Sequence, residues 1–436
     1  MKCIVIGGTR TGVGKTATAL ALAKGLSNAG YKVQSFKVGP GFVDARRHEK
    51  VTGRPCYNLD AFLMGEDGIR RELAKAKADV AIIEGASGLF TGASSTARIA
   101  GLLKVPIILT VDASASSESV AATVLGFVEY ASRTQSDARI VGVVATRVGS
   151  EKHINDVRSA LERIGTPLMG VLRKDVWERN GYASETYEEE QTEKQLLAVY
   201  NDLDVASIIR SAAELGASAP ASAAVHDARP AVGIPLDVAF CFYYRSNIEA
   251  LERFVRVKYF SPLTERLPSV DGLYIGGGFP EAHAQRLSEN TTLLRELRAR
   301  AEEGMPVWAE GGGLLYLSRS LITCEGAMHK LAGIVPAEVR MTDQLQGLGH
   351  SEVEIVFDCP IAGRGDRLRG NEFHYSVVDP DRDVRFAYKM IRGTGIDGFD
   401  GIVEYNVLAS QQHVHVYSMR HGFDEFIDVV RGYART

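Results

Sequence analysis

A lysine and a hydroxyl placed directly behind a run of glycines, in Gly7-Gly8-Thr9-Arg10-Thr11-Gly12-Val13-Gly14-Lys15-Thr16, have the most legible chemistry in this sequence. Glycines let successive backbone N–H groups turn inward around phosphate oxygens, a lysine at this spacing reaches the outer phosphates, and the following hydroxyl can ligate magnesium. Gly8, Thr9, Gly12, Gly14, Lys15 and Thr16 are therefore the candidate nucleotide-binding residues, with ATP and Mg2+ as the expected cofactors. The strict pattern wants glycine where Thr9 stands, and Gly8 precedes that position by one residue. Gly-Lys-Thr alone is weak evidence, and its setting strengthens it. Cys3-Ile4-Val5-Ile6 reads as a strand before the loop, and residues 17–26 carry apolar side chains at helical spacing after it. The start of that helix adds its partial positive charge at the same spot.

The elements that must position this loop alternate through the first half of the chain. Val33-Gln34-Ser35-Phe36-Lys37-Val38, Val80-Ala81-Ile82-Ile83, Val105-Pro106-Ile107-Ile108-Leu109-Thr110-Val111 and Ile140-Val141-Gly142-Val143-Val144 read as further strands, with helical patterns such as 119–130 and 154–164 between them. Near-continuous apolar strands divided by helices imply a parallel sheet covered on both faces. Ligands of such sheets sit at the carboxyl ends of the strands, where Lys37, Glu84, Asp112, Thr146 and Arg147 collect.

A polar, glutamate-rich stretch over 177–194 reads as a surface excursion. The small-residue run 216–224, closed by Arg229-Pro230, has linker composition. The expected division is a nucleotide-binding domain over 1–215, a linker over 216–230 and a second α/β domain over 231–436, which restarts with Ala231-Val232-Gly233-Ile234. At 436 residues the chain is long enough for two full cores. A formal net charge of −4 provides no basic field, which argues against nucleic acid as a partner. No apolar run approaches the ~18 residues that span a bilayer, and the chain enters a strand at once, so no membrane partner and a cytoplasmic location are expected. The five cysteines, at 3, 56, 241, 324 and 359, show no paired spacing and fit reduced thiols.

Several further segments carry a family resemblance over nearly the whole chain. The glycine loop is the longer variant found in amide-forming and partition-type ATPases. Together with it, Phe36-Lys37-Val38-Gly39-Pro40, Thr52-Gly53-Arg54-Pro55, Asn58-Leu59-Asp60 and Glu84-Gly85 resemble the cobyrinic acid a,c-diamide synthases and their nickel-sirohydrochlorin relatives. The second half agrees, in Ala239-Phe240-Cys241-Phe242-Tyr243-Tyr244, Gly276-Gly277-Gly278-Phe279-Pro280-Glu281, Gly370-Asn371-Glu372-Phe373-His374-Tyr375-Ser376 and Asn406-Val407-Leu408-Ala409-Ser410. The resemblance implies a dethiobiotin-synthetase-like ATP domain joined to a class I glutamine amidotransferase-like α/β domain. It implies an amide ligase, in which ATP phosphorylates a tetrapyrrole acetate side chain and ammonia displaces the phosphate. An acyl phosphate supplies the leaving group that a carboxylate lacks, while magnesium and cations neutralise the phosphoryl charge. By resemblance Lys15 binds phosphates, Thr16, Asp60 and Glu84 hold magnesium, Lys37 helps at the phosphate or the substrate carboxylate, Lys15, Lys37 and Glu84 are the candidate catalytic residues, and Thr146 and Arg147 lie near the adenine. The bland alternatives are a helix cap or ion pair for Asp60 and Glu84, and a solvated charge for Lys37. A homodimer across the substrate cleft is also implied, though no spacing shows it.

The departures from that family pattern are more informative than the matches. The amidotransferase elbow is expected to read Ala-Glu-Cys-Gly-Gly, with the cysteine attacking glutamine, and here it is Ala309-Glu310-Gly311-Gly312-Gly313. A glycine at the nucleophile position cannot form a thioester, so glutaminase activity is expected to be absent and His413 is vestigial. Gly41 and Thr91 replace two expected acids, Thr146 replaces an asparagine, and a Pro-Glu-Arg-His segment is missing from 173–180. Three readings follow. The protein is an amide ligase acting on a tetrapyrrole or another polycarboxylate with ammonia or another amine. Alternatively it is a non-catalytic binder of a tetrapyrrole or of a partner such as an active paralogue, or a nucleotide-dependent switch, for which only Arg10 speaks. His374 beside aromatics reads as a structural group, His413 and His415 do not by themselves make a metal site, and Trp308 and Tyr316 read as packing.

Overall fold

Seven strands rich in Val, Ile and Leu build the sheet that holds the glycine loop. They are β1 (Lys2–Gly8), β2 (Val33–Val38), β3 (Tyr57–Leu59), β4 (Val80–Glu84), β5 (Ile107–Asp112), β6 (Ile140–Val148) and β7 (Leu168–Arg173). They lie in the order β3-β2-β4-β1-β5-β6-β7, every neighbouring pair parallel, and an eighth strand of two residues, Ala213–Glu214, pairs antiparallel with the start of β1. This computed structural model describes residues 1–134, 137–174, 189–216, 229–419 and 421–435, with the side chains of 189–191 left out. Of the polar stretch expected over 177–194, residues 177–188 lie outside the described residues, as does most of the expected linker, and the remainder begins the helix Glu189–Asn201. Helices α1 (Lys15–Asn28), α2 (Phe42–Thr52), α3 (Ala61–Ala74, broken at Gly65), α4 (Thr96–Leu103), α5 (Ser117–Arg133) and α6 (Glu151–Arg163) connect the strands. The chain leaves β1 toward β2 on one side and returns to β5 on the other. That reversal opens a crevice at the carboxyl end of β1, where the loop sits.

The expectation of parallel strands divided by helices holds for this unit. Two strands were missed because each is short or mixed in character: β3 is three residues long, and β7 carries Gly170 in its middle. Helix α1 is buried on nearly every face, since α2 and the helix Glu189–Asn201 pack over it. Its Gly25 is there for proximity: a Cβ at that position would lie 2.1 Å from the ring of Tyr200.

The chain divides into two compact units, Met1–Ala221 and Ser222–Thr436. The second unit holds a ten-stranded sheet. Its first five strands, Arg256–Phe260, Ala231–Pro235, Gly272–Ile275, Val307–Glu310 and Val407–Ser410, run parallel. The remaining five pair antiparallel. The second α/β domain is thus parallel in only one half of its large sheet. Gly347–Ile355 and Arg367–His374 alternate buried and exposed side chains, the pattern of antiparallel strands with one solvated face. A separate four-stranded sheet, Met328–Lys330, Ser318–Ile322, Val335–Met341 and Ser376–Pro380, completes the unit. Trp308 stacks on Tyr274 at 4.3 Å in its core, and Tyr316 packs edge-on to Phe240 at 5.2 Å, so both are packing residues. No helix among the described residues is long and apolar enough to cross a membrane.

Substituting Gly25 by alanine forces a methyl into the Tyr200 ring. The expected cost is about 1–3 kcal/mol from overpacking, read as a lowered thermal midpoint, and an unchanged midpoint would show that the helix Glu189–Asn201 does not press on α1.

Candidate active site

The phosphate loop turns between β1 and α1 on two left-handed glycines, Gly12 at φ 73° and Gly14 at φ 108°. Gly8 is required by contact: a Cβ there would lie 2.6 Å from Val13 Cγ1 and 2.7 Å from Lys15 Cγ. Thr9 N–H donates to the Thr110 carbonyl at 3.1 Å, which ties the loop to β5. Gly14 caps α1 with no side chain, leaving the first N–H groups of the helix available to an anion. The Lys15 ammonium bends back over the loop and donates to the carbonyls of Arg10 at 3.0 Å and Ser87 at 2.6 Å. Burial first, and the charge of Lys37 second, bring its pKa down to about 8.

Glu84 ends β4, beside Ile6 of β1 on one flank and Lys37 of β2 on the other. Its carboxylate is fully buried and has a different neighbour on each oxygen. Oε1 accepts from the Thr16 hydroxyl at 2.5 Å and from Lys37 Nζ at 2.8 Å, while Oε2 meets His48 Nε2 at 2.8 Å. Lys37 Nζ also donates to the Gly85 carbonyl at 3.1 Å and pairs with Asp44 Oδ2 at 2.8 Å. Burial by itself would push the Glu84 carboxyl up, but the Lys37 charge and the His48 bond hold it well below the usual carboxylate range. Burial likewise works against the Lys37 ammonium and is overcome by Glu84 and Asp44, so its pKa is raised. The pair is ionised at neutral pH. Two hard oxygen donors, Thr16 Oγ1 and Glu84 Oε1, therefore face each other beside a phosphate loop, which suits Mg2+.

On the other side of β1, Asp112 accepts from Arg10 at 2.6 Å and also pairs with Arg147, which takes a left-handed conformation at φ 59°. Burial raises the Asp112 carboxyl, but the Ser114 N–H and these guanidiniums bring it down to about 2. Thr146 is buried and its hydroxyl donates to the Val111 carbonyl at 3.2 Å.

In the second unit Val307–Glu310 ends in a sharp turn at Gly311, φ 50° and ψ −111°, from which the helix Gly312–Leu317 starts. This strand–turn–helix is the backbone of a nucleophile elbow, and Gly311 N–H is fixed by the Ser410 carbonyl at 2.7 Å. His413 occupies the place of the missing side chain. A Cβ on Gly311 would be 2.4 Å from its Nε2, and one on Gly277 would be 2.5 Å from its Cε1. Burial, then the proximity of His374, push the His413 imidazole down to about 4. Behind it, Glu310 accepts from Val414 N–H at 2.6 Å and from the Tyr274 hydroxyl at 2.9 Å, and burial raises its pKa to about 8.

Two family models match the chain: a CobQ/CobB/MinD/ParA nucleotide binding domain over residues 4–182, and a CobB/CobQ-like glutamine amidotransferase domain over residues 231–420. Among curated proteins the cobyrinate a,c-diamide synthase of Halobacterium salinarum is 40% identical over 99% of this chain and 98% of its own length. Those of Haloarcula marismortui and Caldanaerobacter subterraneus are 38% and 36% identical, over 95% and 100% of this chain and 96% and 99% of their own lengths. The chain belongs to the cobyrinate a,c-diamide synthase family.

Within this synthase fold, Lys15, Thr16, Lys37 and Glu84 form one contiguous cluster. Asp60 caps α3, its Oδ1 accepting from Phe62 and Leu63 N–H at 2.9 and 3.1 Å. It follows β3, which is separated from Glu84's β4 by β2. Thr146 and Arg147 lie at the carboxyl end of β6, on the loop's side of the sheet. Asp44 and His48 escaped the sequence reading. Their signal was an Asp and a His four residues apart shortly after Lys37, a spacing that puts both on one face once the segment is helical, as α2 is. The structure also shows what the acid lost at Gly41 would touch, since a Cβ there starts 3.9 Å from Lys37 Cε. His374 Nδ1 donates to the Ser376 carbonyl at 3.1 Å, and His415 is engaged by Tyr417 N–H and the Tyr244 ring. Among the described residues no group of three metal-ligating side chains assembles.

Burial raises the Glu310 carboxyl to about 8, well above the ordinary glutamate range it has in the unfolded chain. Its stabilising contribution is full below the unfolded value and is lost as pH rises through the folded one. Glu310→Gln should therefore gain thermal stability relative to the wild type as pH is raised from about 5 to 8, and a difference independent of pH would show that Glu310 is not held protonated.

Proposed function

We propose that this protein is an ATP-dependent amide ligase that activates a carboxylate as an acyl phosphate and amidates it with ammonia or another amine rather than with glutamine. The observation that carries this reading is a contrast between the two units. Thr16 and Lys37 both meet Glu84 Oε1 beside the loop lysine Lys15, while Gly311 has no nucleophile and His413 fills its space.

The chemistry follows from the cluster. The loop N–H groups and the start of α1 bind the ATP phosphates. Lys15 exchanges its two carbonyl partners for phosphate oxygens, and the permanent charge of Lys37 steadies the phosphoryl group as it moves to the substrate carboxylate. Magnesium, held by Thr16 and Glu84, supplies further neutralisation of phosphoryl charge. An amine then attacks the acyl carbon and phosphate departs. The relatives named above act on cobyrinate by their names, so a tetrapyrrole acetate side chain is the leading substrate class. Five cysteines, none of them joined in a disulfide, suit a reducing, cytoplasmic setting.

A second reading, a tetrapyrrole- or partner-binding pseudoenzyme, draws on the acids absent at Gly41 and Thr91. The deciding measurement is mass spectrometry after incubation with MgATP and sirohydrochlorin, its nickel form or cobyrinic acid, each with ammonium or with glutamine. Amidation with ammonium alone, a loss of about 1 Da per carboxylate, is expected. Amidation with glutamine would refute the dead glutaminase, and binding without any product would favour the pseudoenzyme.

Restoring the sulfur is not expected to restore glutamine use. In Gly311→Cys the new Cβ collides with the imidazole it would need as its base, so glutamate release from glutamine should stay at background. Glutaminase activity in this variant would show that His413 yields readily.

A further inference from the structure

Helix α2 begins just past the turn that ends β2, and presents Asp44 and His48 to the same buried ion pair. Asp44 holds the lysine, with Oδ2 at 2.8 Å from Lys37 Nζ, and His48 holds the carboxylate, with Nε2 at 2.8 Å from Glu84 Oε2. The imidazole is completely buried. Its Nδ1 has no hydrogen-bond partner in the structure, so nothing but the carboxylate orients the ring's polar edge. Glu84 has only two oxygens, and Oε1 is shared by Thr16 and Lys37. A carboxylate beside an ammonium is free to turn and offer both oxygens to it unless one is held elsewhere. Holding Oε2 keeps Oε1 aimed at the Thr16 hydroxyl.

We propose that His48 is a positioning residue for the magnesium-nucleotide site: from α2 it locks the Glu84 carboxylate so that Oε1 and Thr16 Oγ1 face the same point beside the phosphate loop. This rests on the reading of Thr16 and Glu84 as the magnesium-binding pair. Partners that orient a ligating carboxylate affect metal affinity by about 10–100-fold when removed, and a partner that only fills space does not discriminate between metal-loaded and metal-free nucleotide.

The test uses the full-length protein and two polar substitutions of different reach. Gln places its amide nitrogen close to where Nε2 lies, and Asn places its own near Nδ1, short of Glu84. Binding of a non-hydrolysable ATP analogue is followed by calorimetry across a Mg2+ titration and again with chelator, and thermal midpoints report folding. His48→Asn should raise the Mg2+ concentration for half-maximal binding by about tenfold or more, leaving metal-free nucleotide affinity unchanged, while His48→Gln stays close to the wild type. The proposal is overturned if both variants match the wild type, if Gln is as impaired as Asn, or if both lose metal-free binding equally. A wild-type protein that binds the analogue with no Mg2+ dependence would overturn the magnesium reading itself, and the His48 role with it. That result is told apart from the others by the wild-type curve alone.

Discussion

A carboxylate at the end of a central strand, sealed from water, sets the terms for the whole first unit. An unpaired charge in that position would cost several kcal/mol, and the fold answers by bringing Lys37 across from it on β2 and the Thr16 hydroxyl over it from α1. Register becomes part of the chemistry. Slipping β2 by one residue would turn Lys37 to the opposite face of the sheet and leave Glu84 without its counter-charge. The apolar side chains of β2 and β4 favour a buried parallel pair, and the ion pair selects which residues face each other. Asp44 and His48 then divide the remaining valences between them, so that neither charge is left with a lone partner.

The second unit shows how far backbone geometry and chemistry can separate. The turn at Gly311 keeps its left-handed conformation because the strand before it and the helix after it are packed into the core, and the Ser410 carbonyl fixes its N–H. None of that depends on a side chain at 311. The nucleophile of a thioester mechanism resides in a single sulfur, so the elbow backbone can persist where that sulfur is absent. His413 has settled against two glycines, Gly277 and Gly311, with its imidazole pushed toward the neutral form by burial. It now behaves as a packed core group.

Much of this architecture was legible in order along the chain. The glycine loop between an apolar strand and an apolar helix, the alternation of strands and helices, and the elbow with its missing sulfur are all local patterns. Family membership followed from several such motifs in sequence. The antiparallel half of the second sheet was harder to read, because alternating burial in Gly347–Ile355 and Arg367–His374 emerges only when one face is known to be solvated. Asp60 shows the limit of residue type alone: an aspartate there suits both a helix cap and a metal ligand, and one of its oxygens caps α3.

The sequence by itself determined which groups are present: a phosphate loop with its lysine and threonine, an acid closing a buried strand, and no sulfur at residue 311. These are matters of residue type and short spacing, and short spacing is set by covalent geometry. Only the tertiary structure decided which of them meet. Thr16, Lys37, His48 and Glu84 come from three stretches of chain up to 68 residues apart, and their contact depends on strand order and on the seating of α1 and α2 against the sheet. The same is true of His413, 102 residues beyond Gly311 in the chain and yet within the space a single methyl would need there. Long-range packing, which no local pattern encodes, places the one against the other.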